Sequence, residues 1–411
     1  MQDLKRFQTI PAVLMLLSNI VRAGSQWVLV WIFALLGGPG VVGEYTLAIA
    51  IATPIFIAFE MSLRNVIVTL RRPIAFVRFW LVRGVAAALA LVVLVAVAGI
   101  SRSQFYVLLL VGLIKVADSV LDLSYGALQK RGEILRIALT SLLNSVVTVA
   151  IGVVAYWVTH SIELSLVGSL IGSVLTATLV FAPVLRSERA GGLVAGPRWN
   201  EVGAIIRAGI PSGLAFASIS LLTYMPIYFL GATADLDQVG LFAVLAYFPT
   251  FANLLYGSVQ QSTLHSYVYH YSNAGNRALL KYALLQGWPL LICGIVSGIV
   301  TFLLGRDLVM ILYGKGFSLA FGEILPIAIA MTLLPVIFVS GAVLLTKNLY
   351  TFQFVIGVIS LLLTVAVGLV LAPIDVADAG MVLLVGTGSR AMLGAASAWY
   401  ALSQESINQV T

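Results

Sequence analysis

Apolar runs of about 20 residues recur along the chain, separated by short polar punctuation, and each is long enough to cross about 30 Å of hydrocarbon as a helix. They predict about twelve spans, at 10–36, 43–69, 76–100, 104–127, 134–158, 162–185, 204–230, 239–263, 279–304, 319–345, 351–372 and 379–402. The runs near Val85 to Ile100 and Leu284 to Leu304 are continuously apolar, without the alternation of a barrel strand. Lipid offers the backbone no partners, so such runs must be helices. The expected fold class is an all-α polytopic membrane protein.

The interval around 186–203 carries Gly191, Gly192, Gly196 and Pro197. It reads as a cytoplasmic linker (191–203) between a six-helix bundle at 1–190 and another at 204–411. The halves echo each other: Trp31 to Gly37, then Val42-Gly43-Glu44-Tyr45 and Pro54, parallel Pro226 to Gly231, then Val239-Gly240-Leu241-Phe242 and Pro249. Parallel six-span repeats are one transporter architecture, with substrate held where the repeats meet.

Composition sharpens the picture. Of the 411 residues, 61% are hydrophobic and only 9% charged, and the mean hydropathy is +1.06, far from the roughly 25% charged of a soluble domain. The net charge of +7 builds no basic patch for nucleic acid. It is distributed by side instead. With the N-terminus in the cytoplasm, Lys5, Arg6, Arg71, Arg72, Arg78, Lys130, Arg131, Arg136, Arg186, Arg189, Arg198, Arg207, Arg277, Lys281 and Lys347 share that side, and the C-terminus joins them. The opposite loops hold only Arg102, Arg306 and Lys315 among seven acids from Glu44 to Asp378. The first run lacks a small-residue cleavage site and is read as an uncleaved span. Cys293 is the only cysteine, inside an apolar run, which leaves no disulfide framework or thiolate cluster.

Ionisable groups inside spans carry the chemistry, because each costs about 2.5–3.5 kcal/mol at a helix centre. Arg22 shares a helical face with Ser18, Asn19, Ser25 and Gln26, and its planar fork suits phosphate; it lines a cavity or bonds neighbouring carbonyls or a carboxylate. Glu60 and Arg64, one turn apart, form a helical pair or face substrate. Lys115, Asp118 and Asp122 share a face of the fourth span, where Lys115 can neutralise Asp118; the acids are pairing groups or coupling groups. Arg390 has no partner in its own helix and must find an acid, a carbonyl or a ligand elsewhere. The third span, apolar beyond Arg83, suits a lipid-facing position. Ser141, Asn144, Ser145 and Thr148 read as packing before lining, and Ser165, Ser169, Gly172 and Ser173 as packing alone. Asn253, Tyr256, Gln260 and Gln261 form a further polar stripe, and Tyr267, Tyr269, His270 and Tyr271 an interfacial belt. Pro54, Pro211, Pro226 and Pro249 are hinges or static bends.

The segment Leu35-Leu36-Gly37-Gly38-Pro39-Gly40, followed by Val41 to Phe56 and Leu63-Arg64, with Asp237-Gln238-Val239-Gly240 and Leu312-Tyr313-Gly314-Lys315-Gly316, resembles the polysaccharide-transporter branch (Wzx-type oligosaccharide flippases) of the multidrug/oligosaccharidyl-lipid/polysaccharide (MOP) exporter superfamily. The resemblance implies two six-helix bundles in a V around a central cavity, in the bacterial inner membrane. It implies export of a polyprenyl-diphosphate-linked oligosaccharide for O-antigen, capsule or exopolysaccharide synthesis, beside a polysaccharide polymerase and a chain-length regulator. Arg22, Arg64, Lys115, Arg390, Gln26 and Asn19 would then meet the diphosphate, with H⁺ or Na⁺ as possible coupling ion and no cofactor. Rival readings are a MATE-type drug or cation antiporter, which would need free acids, and a lipid II flippase, for which fourteen spans are usual. A membrane polymerase or acyltransferase would need a longer outer loop. No phosphate-binding loop is present, and His160, His265 and His270 are not spaced as metal ligands.

Overall fold

The computed structural model describes residues 2–69, 74–100, 105–190 and 199–404, without the side chains of 2–20, 22–23, 69, 99–100 and 188–190. Eleven helices follow in order: α1 (Gln2–Glu60), α2 (Leu63–Thr69), α3 (Phe76–Ile100), α4 (Phe105–Lys130), α5 (Ile134–Thr159), α6 (Ile162–Ala190), α7 (Trp199–Thr233), α8 (Leu236–Tyr313), α9 (Phe321–Thr346), α10 (Tyr350–Leu371) and α11 (Val376–Ser403). No strand occurs among the described residues. Nine of these helices are long and apolar enough to cross a membrane. α4 has the length but carries Lys115, Asp118 and Asp122.

Two helices each hold two spans. α1 turns at Gly38, whose φ of 80° and ψ of −173° leave the helical region. Pro39 follows, and a residue before proline is pushed away from the α region. α8 breaks at Ala274 and Gly275, the latter at φ 66°. Counting these as corners, and leaving out the short α2, the described residues form twelve long helical segments. The interval expected to separate spans eight and nine is helical up to that break. Tyr267 explains part of this: it is buried, edge-on to Tyr282 at 4.9 Å, and belongs to a core with Leu279 and Val343 rather than to an interfacial belt.

The chain divides into two compact units, Met1–Ala217 and Ser218–Thr411, with the division inside α7. In the first unit α1 packs on α3, α4 and α5, and α6 packs on α4 and α5. The α5/α6 seam is built from small residues: Ser165 Oγ donates to the Gly152 carbonyl at 2.8 Å, and a Cβ at Gly172 would sit 2.8 Å from the Thr148 backbone. Asn144 accepts from Thr176 in the same seam. The polar stripe of the fifth span is thus largely a packing surface. In the second unit α9 is central, packed on α8 and α11, with α10 against α11. Gly294 and Gly298 bring α8 onto Pro335 and Ala328 of α9.

The two echoed motifs form equivalent corners. Val42 follows the turn at Gly38, Val239 follows the turn before α8, and both are fully buried. Large apolar side chains point outward on many helices, among them Val85, Leu89 and Val92 of α3 and Leu362 and Leu369 of α10. Such a surface is stable against hydrocarbon and not against water.

Candidate functional site

The charged site of the first unit begins at a break in the second span. Glu60 ends α1, Met61 (φ 49°) and Ser62 (φ 47°) adopt left-handed backbone, and α2 restarts at Leu63. Two consecutive non-glycine residues in that region are strained and need support from their surroundings. α7 supplies it. A Cβ at Gly209 would lie 2.7 Å from the Met61 carbonyl oxygen, and one at Gly213 would lie 2.8 Å from the Ala58 carbonyl oxygen and the Met61 Cα. Only glycine admits so close a backbone. Val202 and Ile205 of α7 join the same apolar core as Met61 and Leu63, and Arg78 of α3 pairs with Glu201 at the start of α7.

Because the helix stops between them, Glu60 and Arg64 do not form the one-turn pair that was one of their two readings. Each finds a partner on another helix. Arg64 Nη1 lies 3.5 Å from Asp122 Oδ1, its Nε donates to Gln129 Oε1 at 3.1 Å, and its guanidinium sits 5.9 Å from the centre of the Tyr125 ring. Glu60 Oε1 lies 3.8 Å from Arg83 Nη1, and Arg83 Nη2 donates to Asp122 Oδ2 at 3.2 Å.

Arg83 adds a buried face to the third span, whose apolar residues beyond it suit lipid. It is 1% exposed, the largest of the fully buried side chains, while Val85, Leu89 and Val92 of the same helix face outward. One face of α3 meets lipid and the other hides a guanidinium between two carboxylates. The signal was present in the sequence: a single cation in an otherwise apolar span requires an acid from another span. Lys115 was expected to neutralise Asp118. Asp118 also accepts a hydrogen bond from Ser173 Oγ at 3.2 Å, so Ser173 is more than packing, and the charge of Lys115 acts on Glu60.

Arg64, Arg83, Glu60 and Asp122 balance to zero formal charge. Asp122 and Arg83 stand about two turns inside the ends of α4 and α3, roughly 10–12 Å along each helix. The Arg64, Glu60 and Asp122 side chains are 26%, 28% and 35% exposed.

The second unit is different. Arg390 sits midway along α11, about 20 Å from either end, and is half-buried. Among the described residues no carboxylate lies within ion-pairing distance of it. One turn before it Gly386 faces Thr364 and Leu222, and one turn after it Gly394 faces Ser340. Gln260 of the eighth-span stripe donates to the Phe338 carbonyl at 2.8 Å, and Tyr256 is buried beside Phe338, so half of that stripe packs; Asn253 and Gln261 are exposed.

The side chains of Arg22 and Asn19 lie outside the described residues, and Gln26 is exposed on α1. Pro54, Pro211, Pro226 and Pro249 lie within continuous helix, whereas the non-helical backbone falls at Gly38, Met61–Ser62 and Ala274–Gly275. Among the described residues, no group of three histidine, cysteine or acidic side chains could hold a metal ion.

This arrangement, helices throughout with ionisable groups kept inside them, shares its fold with solved transporters and flippases of the MOP superfamily. The structure is similar to the lipid II flippase MurJ in an inward closed conformation, with a TM-score of 0.73 and 13% identity over 95% of this chain and 87% of that one. It is similar also to a multidrug resistance MATE family transporter in an inward-facing conformation, with a TM-score of 0.71 and 12% identity over 94% and 98% of the two chains. In sequence, the capsular polysaccharide biosynthesis protein CapF of Staphylococcus aureus is 22% identical over 306 residues, 74% of this chain and 77% of that protein. No protein-family model matches.

Proposed function

We propose that this chain is a flippase that carries a polyprenyl-diphosphate-linked oligosaccharide from the cytoplasmic to the periplasmic leaflet of the bacterial inner membrane, for assembly of a surface polysaccharide. The observation that carries this reading is a fold shared with a lipid II flippase in a chain whose sequence is similar to a capsular polysaccharide biosynthesis protein. Intramembrane cations support it. Arg390 offers phosphate a guanidinium with no carboxylate in reach among the described residues, and Arg64 a second one held by a carboxylate. A drug or cation antiporter would need an acid open to its ligand, and Glu60 and Asp122 both face arginines.

Alternating access through a cationic chamber moves the headgroup while the polyprenyl tail stays in lipid. Outward passage of the diphosphate is favoured by about 2.3 kcal/mol per charge per 100 mV of inside-negative potential. A proton or sodium ion can couple to the acids of the first unit. A polymerase and a chain-length regulator would use the product on the outer face.

Reconstitution in liposomes tests the reading. A fluorescent polyprenyl-diphosphate oligosaccharide should change leaflet at a rate proportional to protein content, as read by quenching from one side. Tight binding of lipophilic cations with no movement of the lipid-linked sugar would refute the proposal in favour of an antiporter.

A further inference from the structure

Asp122 is shared by two arginines that differ in freedom. Arg83 is fully buried and has a second carboxylate, Glu60, at 3.8 Å. Arg64 is a quarter exposed, and besides Asp122 its contacts are the neutral Gln129 amide and the Tyr125 ring. The two oxygens of Asp122 are divided between them, Oδ2 to Arg83 at 3.2 Å and Oδ1 to Arg64 at 3.5 Å. The longer contact belongs to the more exposed arginine. If an incoming anion draws Arg64 away, Asp122 keeps Arg83, Arg83 keeps Glu60, and no buried charge is left without an opposite. If an anion drew Arg83 away instead, Glu60 would lose its arginine and Asp122 would keep only the longer contact to Arg64. The cluster therefore has one member that can be exchanged at low cost and one that cannot.

We propose that Asp122 is a specificity-determining residue: an internal competing anion that reserves Arg64 for headgroups carrying more than one negative charge. The proposal rests on the flippase reading above. A phosphodiester headgroup with a single charge gains little by replacing a carboxylate that already occupies the guanidinium, since it exchanges one anion for another of equal charge. A diphosphate brings at least two charges and several acceptor oxygens to the same fork, so the exchange favours it. Abundant anionic phospholipids are thereby kept off a cation that would otherwise attract them. Asp122 also gives the site a way to release its cargo, because it remains beside Arg64 and can reclaim it.

The test uses full-length protein in zwitterionic nanodiscs and measures binding of a polyprenyl diphosphate, alone and in competition with phosphatidylglycerol. Asp122→Asn should bind the diphosphate about tenfold more tightly than the unaltered protein. It should also become sensitive to phosphatidylglycerol, which competes weakly with the unaltered protein. Asp122→Glu should restore the discrimination. Arg64→Gln, which leaves Arg83 paired with both acids, should bind about tenfold more weakly. Equal or weaker binding by a folded Asp122→Asn protein, with unchanged phospholipid competition, overturns the proposal. So does Arg64→Gln binding as well as the unaltered protein, which decides the matter even if Asp122→Asn fails to fold. Absence of any diphosphate binding by the unaltered protein would refute the flippase reading itself. Binding that is present but indifferent to Asp122 would refute only the role given to that residue.

Discussion

The two units bury cations in opposite ways. In the first, Arg83 is sealed between Glu60 and Asp122, and Arg64 leans on the same aspartate, so that four charges cancel within one cluster. In the second, Arg390 stands midway along an apolar helix with small polar neighbours and no carboxylate in reach among the described residues. A cation sealed between acids is part of the scaffold, and its loss leaves buried negative charge. A cation without an acid costs stability in the resting protein and is retained for what it can bind. The contrast separates an arginine paired within the scaffold from one that, in the proposed function, is available to a ligand.

Arg83→Met should break this contrast most severely. It would take from the part-buried Glu60 and Asp122 the arginine they share, leaving Arg64 beside Asp122 and the charge of Lys115 acting on Glu60, at a cost of about 3 kcal/mol. The expected outcome is a large fall in melting temperature in detergent, or failure to accumulate in the membrane. Stability equal to that of the unaltered protein would show that the pairing is not structural.

Gly213→Leu tests the support beneath the same cluster. Its side chain would have to enter where the Met61 Cα and the Ala58 carbonyl already stand 2.8 Å from a Cβ. Overpacking of this kind costs about 1–3 kcal/mol, and α7 should lift from the Met61–Ser62 break. Gly203→Ala on the same helix meets open space and serves as the control. A thermal scan of the two variants should show a loss for Gly213→Leu only.

Arg390→Met should have the smallest effect on stability and a clear one on ligand. No carboxylate is left behind, and a costly charge is removed, so the melting temperature should hold or rise. Binding of a polyprenyl diphosphate should weaken about tenfold, which corresponds to about 1.4 kcal/mol. A marked loss of stability with unchanged binding would move Arg390 into the same class as Arg83 and erase the difference between the units.

The corners were readable in part. Gly37-Gly38-Pro39 announces its turn locally, because proline excludes helix from the residue before it and glycine accepts the positive φ that results. The break after Glu60 gave no such signal. Met61 and Ser62 are ordinary helix residues, and their left-handed backbone is held by glycines of α7 some 150 residues away. That is why Glu60 and Arg64 form separate bonds to other helices. The seam between α5 and α6 was legible as packing, since small and hydroxylic residues recur at helical spacing there. Ser173 could not be told from its neighbours until α4 brought Asp118 to it.

From the sequence alone came the membrane-spanning helices, the two echoed motifs and the list of charges that had to be accounted for. Each follows from free energies that are local: the transfer of about 20 apolar side chains into lipid, the backbone's need for its own hydrogen bonds there, and the penalty on every intramembrane charge. Only the tertiary structure decided which charge meets which. Arg83 and Asp122 are 39 positions apart, and their meeting depends on how α3 turns against α4. That rotation is set by the sum of side-chain contacts along both helices, which no single stretch of sequence contains.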